Sequence, residues 1–201
     1  MSGVRSELAL LSEWINPGSR VLDLGCGEGL LLRHLRDTRD VIGYGLEIDP
    51  DNIRLCVEKG IPVIQTNLDA GLQDFDPASF DYVVMTQTLQ AVRYPEHLMN
   101  EMLRVGSEGI VTFSNLGHWR SRLKLACSGR MPVSGEPGWS WYNSPNIHLC
   151  TFKDFEALCH QKNFRIRNRT VVDGEHQDRW LSRLWPNFLG QIAIYRITRG
   201  D

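Results

Sequence analysis

Val21-Leu22-Asp23-Leu24-Gly25-Cys26-Gly27-Glu28-Gly29 is the stretch that decides the fold. Arg20 to Leu24 reads as a short buried strand. From Glu28 to about Arg36 the spacing of Leu31, Leu32 and Leu35 is helical. A strand that runs into Gly-x-Gly and then opens a helix makes a ligand turn. Glycine allows the tight turn and a close approach to the backbone, and the helix N-terminus favours a carboxylate or phosphate. The next strand, Val41 to Glu47, ends in an acid about twenty residues on, where a carboxylate can accept from both hydroxyls of a ribose. Together these features predict an adenosine-containing ligand at the carboxyl ends of the strands.

The dinucleotide fingerprint is Gly-x-Gly-x-x-Gly. Here the third glycine comes one residue early, at Gly29, and Leu30 holds its usual place. Asp23 also precedes the first glycine by two positions. S-adenosylmethionine (SAM) has no pyrophosphate to cradle but carries an ammonium and a carboxylate. Asp23 suits the ammonium, directly or through water, and backbone amides near Gly25 and Gly27 suit the carboxylate. SAM, or S-adenosylhomocysteine, is therefore favoured over NAD or FAD. The third strand leads into Asn67-Leu68, where an amide oxygen and a backbone N–H can read adenine. The fourth ends at Thr86-Gln87, which would floor the pocket beside the sulfur. The candidate cofactor residues are Asp23, Gly25, Cys26, Gly27, Glu47, Ile48, Asn67, Leu68 and Gln87.

Working outward, Ser6 to Ile15 has helical spacing, as does Asp51 to Lys59. Ile61 to Gln65 and Phe80 to Met85 read as strands, Glu96 to Val105 as an amphipathic helix and Gly109 to Phe113 as a fifth strand. Strands alternating with helices predict a parallel sheet covered on both faces. Thr151 and Asp154 look like an N-cap and its reciprocal acid, opening a helix to about Gln161. Phe164 to Val172 and Gln191 to Thr198 then close the chain as strands. The expected fold is a single α/β domain over 1–201. It is Rossmann-like, with a mostly parallel seven-stranded sheet, one antiparallel strand and an insert or lid at about 115–150.

The 201 residues suffice for one sizeable core, and a net charge of −2 argues against a general nucleic-acid binder. The five cysteines are scattered, with no Cys-x-x-Cys, which argues against disulfides and structural zinc. No metal-ligand spacing is formed by the six histidines. The start lacks the apolar core of a signal peptide, and no apolar run reaches membrane-spanning length. A cytoplasmic setting with no membrane partner is expected.

The stretch Val21–Gly29 resembles the first motif of class I SAM-dependent methyltransferases, and Phe80–Met85 resembles their fourth-strand motif. Gln87–Arg93, Asn115–Arg120, Gly129–Pro132, Pro145–Thr151 and Asp154–Cys159 resemble the methionine biosynthesis protein MetW family, so that the likeness covers nearly the whole chain. The resemblance implies the methyltransferase fold and a role in methionine biosynthesis beside a homoserine O-acyltransferase of the MetX type. It supplies no methyl acceptor. The family usually has Asp where this chain has Asn67, which keeps an acceptor for adenine but loses a charge.

No catalytic residue is assigned. Methyl transfer from a sulfonium can proceed by alignment alone, and the Asn-Pro-Pro-aromatic and Pro-Cys signatures of nucleic-acid methylation do not occur. His118 and His148 are candidate bases, with a structural role favoured for each. Between Gly109 and Gly135 no acid occurs, while Arg120, Arg122, Lys124 and Arg130 do. Trp119, Leu123 and Ala126 would form the buried stripe of a short helix. That segment reads as a lid for an acidic substrate, a docking surface or a solvated helix over packed tryptophans. Arg165, Arg167 and Arg169 are expected on one face of a guarded edge strand. Two functions remain open: a SAM-binding companion of the acyltransferase, or an active methyltransferase on a small molecule or protein, independent of it.

Overall fold

A computed structural model describes residues 2–133, 138–172 and 185–200, with the side chains of residues 2–6 left aside. Among these residues seven strands form one sheet in the order β3-β2-β1-β4-β5-β7-β6. The strands are β1 (Arg20–Leu24), β2 (Ile42–Glu47), β3 (Val63–Gln65), β4 (Phe80–Thr86), β5 (Gly106–Ser114), β6 (Phe164–Val172) and β7 (Ile192–Arg199). Strands β1 to β5 pair in parallel, and β7 runs antiparallel to both β5 and β6. The expected single antiparallel strand is thus β7. The helices are α1 (Ser2–Glu13), α2 (Leu30–Arg39), α3 (Pro50–Glu58), α4 (Pro95–Val105), α5 (Trp119–Ser128), α6 (Phe152–Gln161) and the short α7 (Pro186–Leu189).

The period-2 alternation of the strands builds two cores. On one face Leu22, Leu24, Val83, Met85, Val111 and Phe113 pack against Leu98 and Met102 of α4 and Phe155 of α6. On the other, Val21, Val84 and Ile110 pack against Leu11 of α1, Leu31, Leu32 and Leu35 of α2 and Cys56 of α3. Tyr195 anchors the closing strands, with its ring 5.9 Å from that of Phe113 and 4.6 Å from that of Phe155. The α6 capping box is formed as expected, between Thr151 and Asp154.

Two local readings change. Helix α2 starts at Leu30 rather than Glu28, because Gly29, at φ 72°, is left-handed and cannot belong to the helix. The three β6 arginines do not share a face. A bulge falls between Ile166 and Asn168, so that Arg165 lies opposite Thr198 and Arg169 opposite Tyr195, neighbours of opposite orientation on β7. Strand β6 is the sheet edge, and Arg169 pairs with Glu156 at 2.7 Å.

The glycine loop is tightly packed. Gly25 has φ +73°, and a Cβ there would lie 2.6 Å from Thr88 Oγ1. Gly25→Ala is therefore expected to cost about 2 kcal/mol or more in denaturant unfolding, from strain and collision together. Adding Thr88→Ala should recover the collision share only. Full recovery would show that φ carries no penalty.

Candidate functional site

A cavity of about 1150 Å³ opens where β1, β2, β4 and β5 end. Its walls include Gly25, Glu47, Ile48, Asn67, Leu68 and Gln87 from the candidate set. Asp23, Cys26 and Gly27 are not among its lining residues; Asp23 and Cys26 are buried and Gly27 is partly buried. Strand pairing sets the arrangement, since Asp23 is level with Gly45 of β2 and Val84 of β4.

Glu47 is the hub of the loop. Its Oε2 accepts the Gly27 N–H at 2.8 Å, and its Oε1 accepts from Ile48 N at 2.8 Å and Asp49 N at 3.0 Å. One carboxylate thus ties the glycine loop to the end of β2. The loop amides are also engaged: Gly25 N and Cys26 N donate to Leu46 O at 2.8 and 3.0 Å, and Gly29 N donates to Cys26 O at 2.9 Å. The Gly25 and Gly27 N–H groups that sequence reasoning assigned to a ligand carboxylate already have protein acceptors.

Asp23 is the opposite case. It is 1% exposed, and neither carboxyl oxygen has a hydrogen-bond partner. Burial, and then the neighbouring charge of Glu47, push its carboxyl up to about 7. A buried carboxylate without donors is costly, and a cation or a water chain in the site would satisfy it.

Asn67 caps a short 3-10 turn, its Oδ1 accepting from Asp69 N at 3.0 Å, so that part of its acceptor capacity is used. Cys26 has its sulfur 3.9 Å from that of Cys56, which donates to Gly27 O at 3.1 Å. Burial, followed by the charge of Asp23, pushes the Cys26 thiol far up, which fits a packing role and disfavours the thiolate.

The insert is fastened by a residue whose role the sequence did not reveal. Gln90, 2% exposed, accepts from Ser114 N at 3.0 Å through its Oε1 and donates from Nε2 to His148 O at 3.2 Å. Its carbonyl accepts from Ile147 N and His148 N at 2.8 and 3.0 Å. The motif around Gln87–Arg93 carried this signal, but the contact spans 58 residues of chain. Asn115 likewise bridges to Gly190 O at 2.7 Å and Asn187 O at 3.2 Å and receives Gly117 N at 2.9 Å. His148 is exposed, 3.2 Å from Arg93 O, and does not line the cavity. His118 does line it, and caps α5 by accepting Arg120 N on Nδ1 at 3.3 Å.

The stripe expected to be buried on α5 is not. No residue of α5 is buried, and Trp119 and Leu123 are exposed. The helix starts at the cavity rim, where His118, Arg120 and Ser121 line the wall. Among the described residues no helix is long and apolar enough to cross a membrane, and no cluster of three His, Cys, Asp or Glu side chains could hold a metal ion.

The sheet order, the antiparallel β7 and a cleft at the ends of β1 and β2 define the class I SAM-dependent methyltransferase fold. A methyltransferase structure from Mesorhizobium loti superposes with TM-score 0.71 at 16% identity, over 96% of this chain and 98% of that one. The [4+2]-cyclase SpnF superposes with TM-score 0.68 at 17% identity, over 96% of this chain and 80% of that one. The fold therefore does not dictate methyl transfer. Residues 5–197 match the family of the methionine biosynthesis protein MetW, and the chain belongs to that family. The bifunctional methionine biosynthesis protein MetXA/MetW of Rhodopirellula baltica is 36% identical over 196 residues. That match covers 93% of this chain and only 32% of the relative.

Two predictions follow from the site. Because the folded Asp23 carboxyl lies above its ordinary 3.8, its contribution to stability is full below that value and is lost as pH rises through about 7. In the ligand-free protein, Asp23→Asn should raise stability by at most about 4 kcal/mol at pH 8 and by little at pH 4, read from denaturant melts at both pH values. Gln90→Ala removes the side-chain bonds to Ser114 N and His148 O but keeps the carbonyl that accepts Ile147 N and His148 N, so amide exchange should quicken at Ser114 and more modestly at Ile147 and His148, with the rest of β5 unchanged.

Proposed function

We propose that this protein holds SAM or S-adenosylhomocysteine in the cleft and works beside a homoserine O-acyltransferase of the MetX type in cytoplasmic methionine biosynthesis. The buried, unpartnered Asp23 carboxylate beside Glu47 carries the cofactor half of this reading. A sulfonium ligand with an ammonium group supplies the missing positive charge, reaching Asp23 through water because Asp23 is buried and is not among the lining residues. Glu47 keeps lone pairs for the ribose hydroxyls. Ile48, more than half exposed on the wall, and Leu68 offer apolar faces to adenine. Gln87, just beyond the end of β4, would floor the pocket beside the sulfur. When bound, SAM supplies an activated methyl group; the chain supplies the alignment.

The fused Rhodopirellula relative supports the partner half, since its printed name joins MetXA and MetW in one chain. A surface for such a partner is present. Trp119, Leu123 and Leu125 of α5 are exposed, and Trp141 and Tyr142 beyond it are 78% and 73% exposed. Along α5 the exposed Trp119, Leu123 and Leu125 are interspersed with Arg120, Arg122 and Lys124, a composition that supports an interface rather than a solvated face.

Calorimetry should show SAM binding, weakened at least tenfold by Asp23→Asn and by Glu47→Ala. Acyltransferase assays, with and without this protein over a SAM titration, should show a rate change in at least one arm. No SAM binding would sink the cofactor half, and an unchanged rate in every arm would sink the partner half. Leu123→Glu with Trp141→Ala should abolish copurification with the acyltransferase while SAM affinity is retained.

A further inference from the structure

The cavity is larger than the roughly 300–1000 Å³ typical of a small-molecule site. Beyond Gln87 its wall continues through Ser114, His118, Arg120 and Trp139. Three groups there have donors without acceptors. Gln87 is a non-glycine residue at φ 56°, with its backbone N–H fixed on Thr112 O and Oγ1, both at 3.1 Å. Its Oε1 accepts the Ser114 hydroxyl at 3.0 Å, which orients the carboxamide and leaves the buried Nε2 without a partner. A strained backbone on a cavity wall, together with a buried donor left without a partner, is a common mark of a ligand site.

His118 is 6% exposed. Burial, and then the Arg120 charge, hold its imidazole below the usual range, so the ring is neutral. Since Nδ1 accepts the Arg120 N–H, the ring proton sits on Nε2, which has no protein acceptor among the described residues. The Arg120 guanidinium lies 5.4 Å from the Trp119 ring centre and has no carboxylate partner among the described residues. The acids on the cavity wall are Glu7, Glu47 and Asp69.

We propose that Gln87, His118 and Arg120 form a second subsite, beside the SAM cleft, that receives the carboxylate of a small organic acid. It rests on the SAM reading only for what fills the rest of the cavity. The donors are one amide, one neutral imidazole and one guanidinium. Together they bring a single positive charge, which matches a monoanionic, planar carboxylate better than a dianionic phosphate. The amides of Gly25, Cys26, Gly27 and Gly29 are already taken by Leu46, Glu47 and Cys26.

Nuclear magnetic resonance of the full chain, saturated with S-adenosylhomocysteine, tests the subsite. The probes are propionate, the isosteric neutral propionamide and inorganic phosphate. Propionate should shift the Gln87 side-chain amide and the His118 ring saturably, and Arg120→Ala should weaken that binding at least fivefold. Propionamide and phosphate should shift them weakly. Equal shifts with propionamide, or tighter binding of phosphate, would overturn the carboxylate assignment. Shifts seen only without S-adenosylhomocysteine would also overturn it, because the donors would then hold the cofactor's own carboxylate. Calorimetry on the same sample separates the two readings. If S-adenosylhomocysteine fails to bind while propionate shifts persist, the subsite stands and the SAM reading falls.

Discussion

The Glu47 carboxylate, accepting three backbone N–H groups, is the interaction on which the site depends. It closes the glycine loop onto the end of β2 and fixes where β1 stops. Three N–H donors on one carboxylate hold it rigidly in place. The consequence falls on Asp23, which stands near the same charge with no donor of its own. The loop is thus saturated while Asp23 is starved. A site so divided stores its demand for a positive group in one residue, as ligand sites do when stability yields to function.

The far end of the cavity repeats the pattern with donors. Gln90 and Asn115 spend their polar atoms on holding the insert and the 187–190 turn. Gln87 and His118, both on the cavity wall, spend one side-chain atom each on the protein and leave the other without a partner among the described residues. Their neighbours in sequence are structural, so function is separated from scaffold at the level of single atoms. Helix α5 then links cavity and surface, since His118 caps it and its remaining length is exposed.

The Rossmann-like sheet, its strand count and the antiparallel β7 were legible in the chain, because each rests on local periodicity and turn chemistry. The glycine loop, Glu47 and the α6 capping box were legible for the same reason, as short-range patterns with a direct physical cause. The start of α2 was misplaced by two residues because Gly29 adopts a left-handed conformation that composition does not reveal. The shared face of the β6 arginines failed because a one-residue bulge reverses alternation without any mark in the residue types.

The sequence by itself determined a parallel sheet, a glycine loop with acids at both flanks and a basic, aromatic insert. Tertiary structure alone decided which of those groups remain unsatisfied. Whether an amide or carboxylate is free depends on partners that lie tens of residues away, as Gln90 and His148 do. The buried stripe expected on α5 likewise became an exposed face, since burial is set by what packs against a helix and not by its spacing alone.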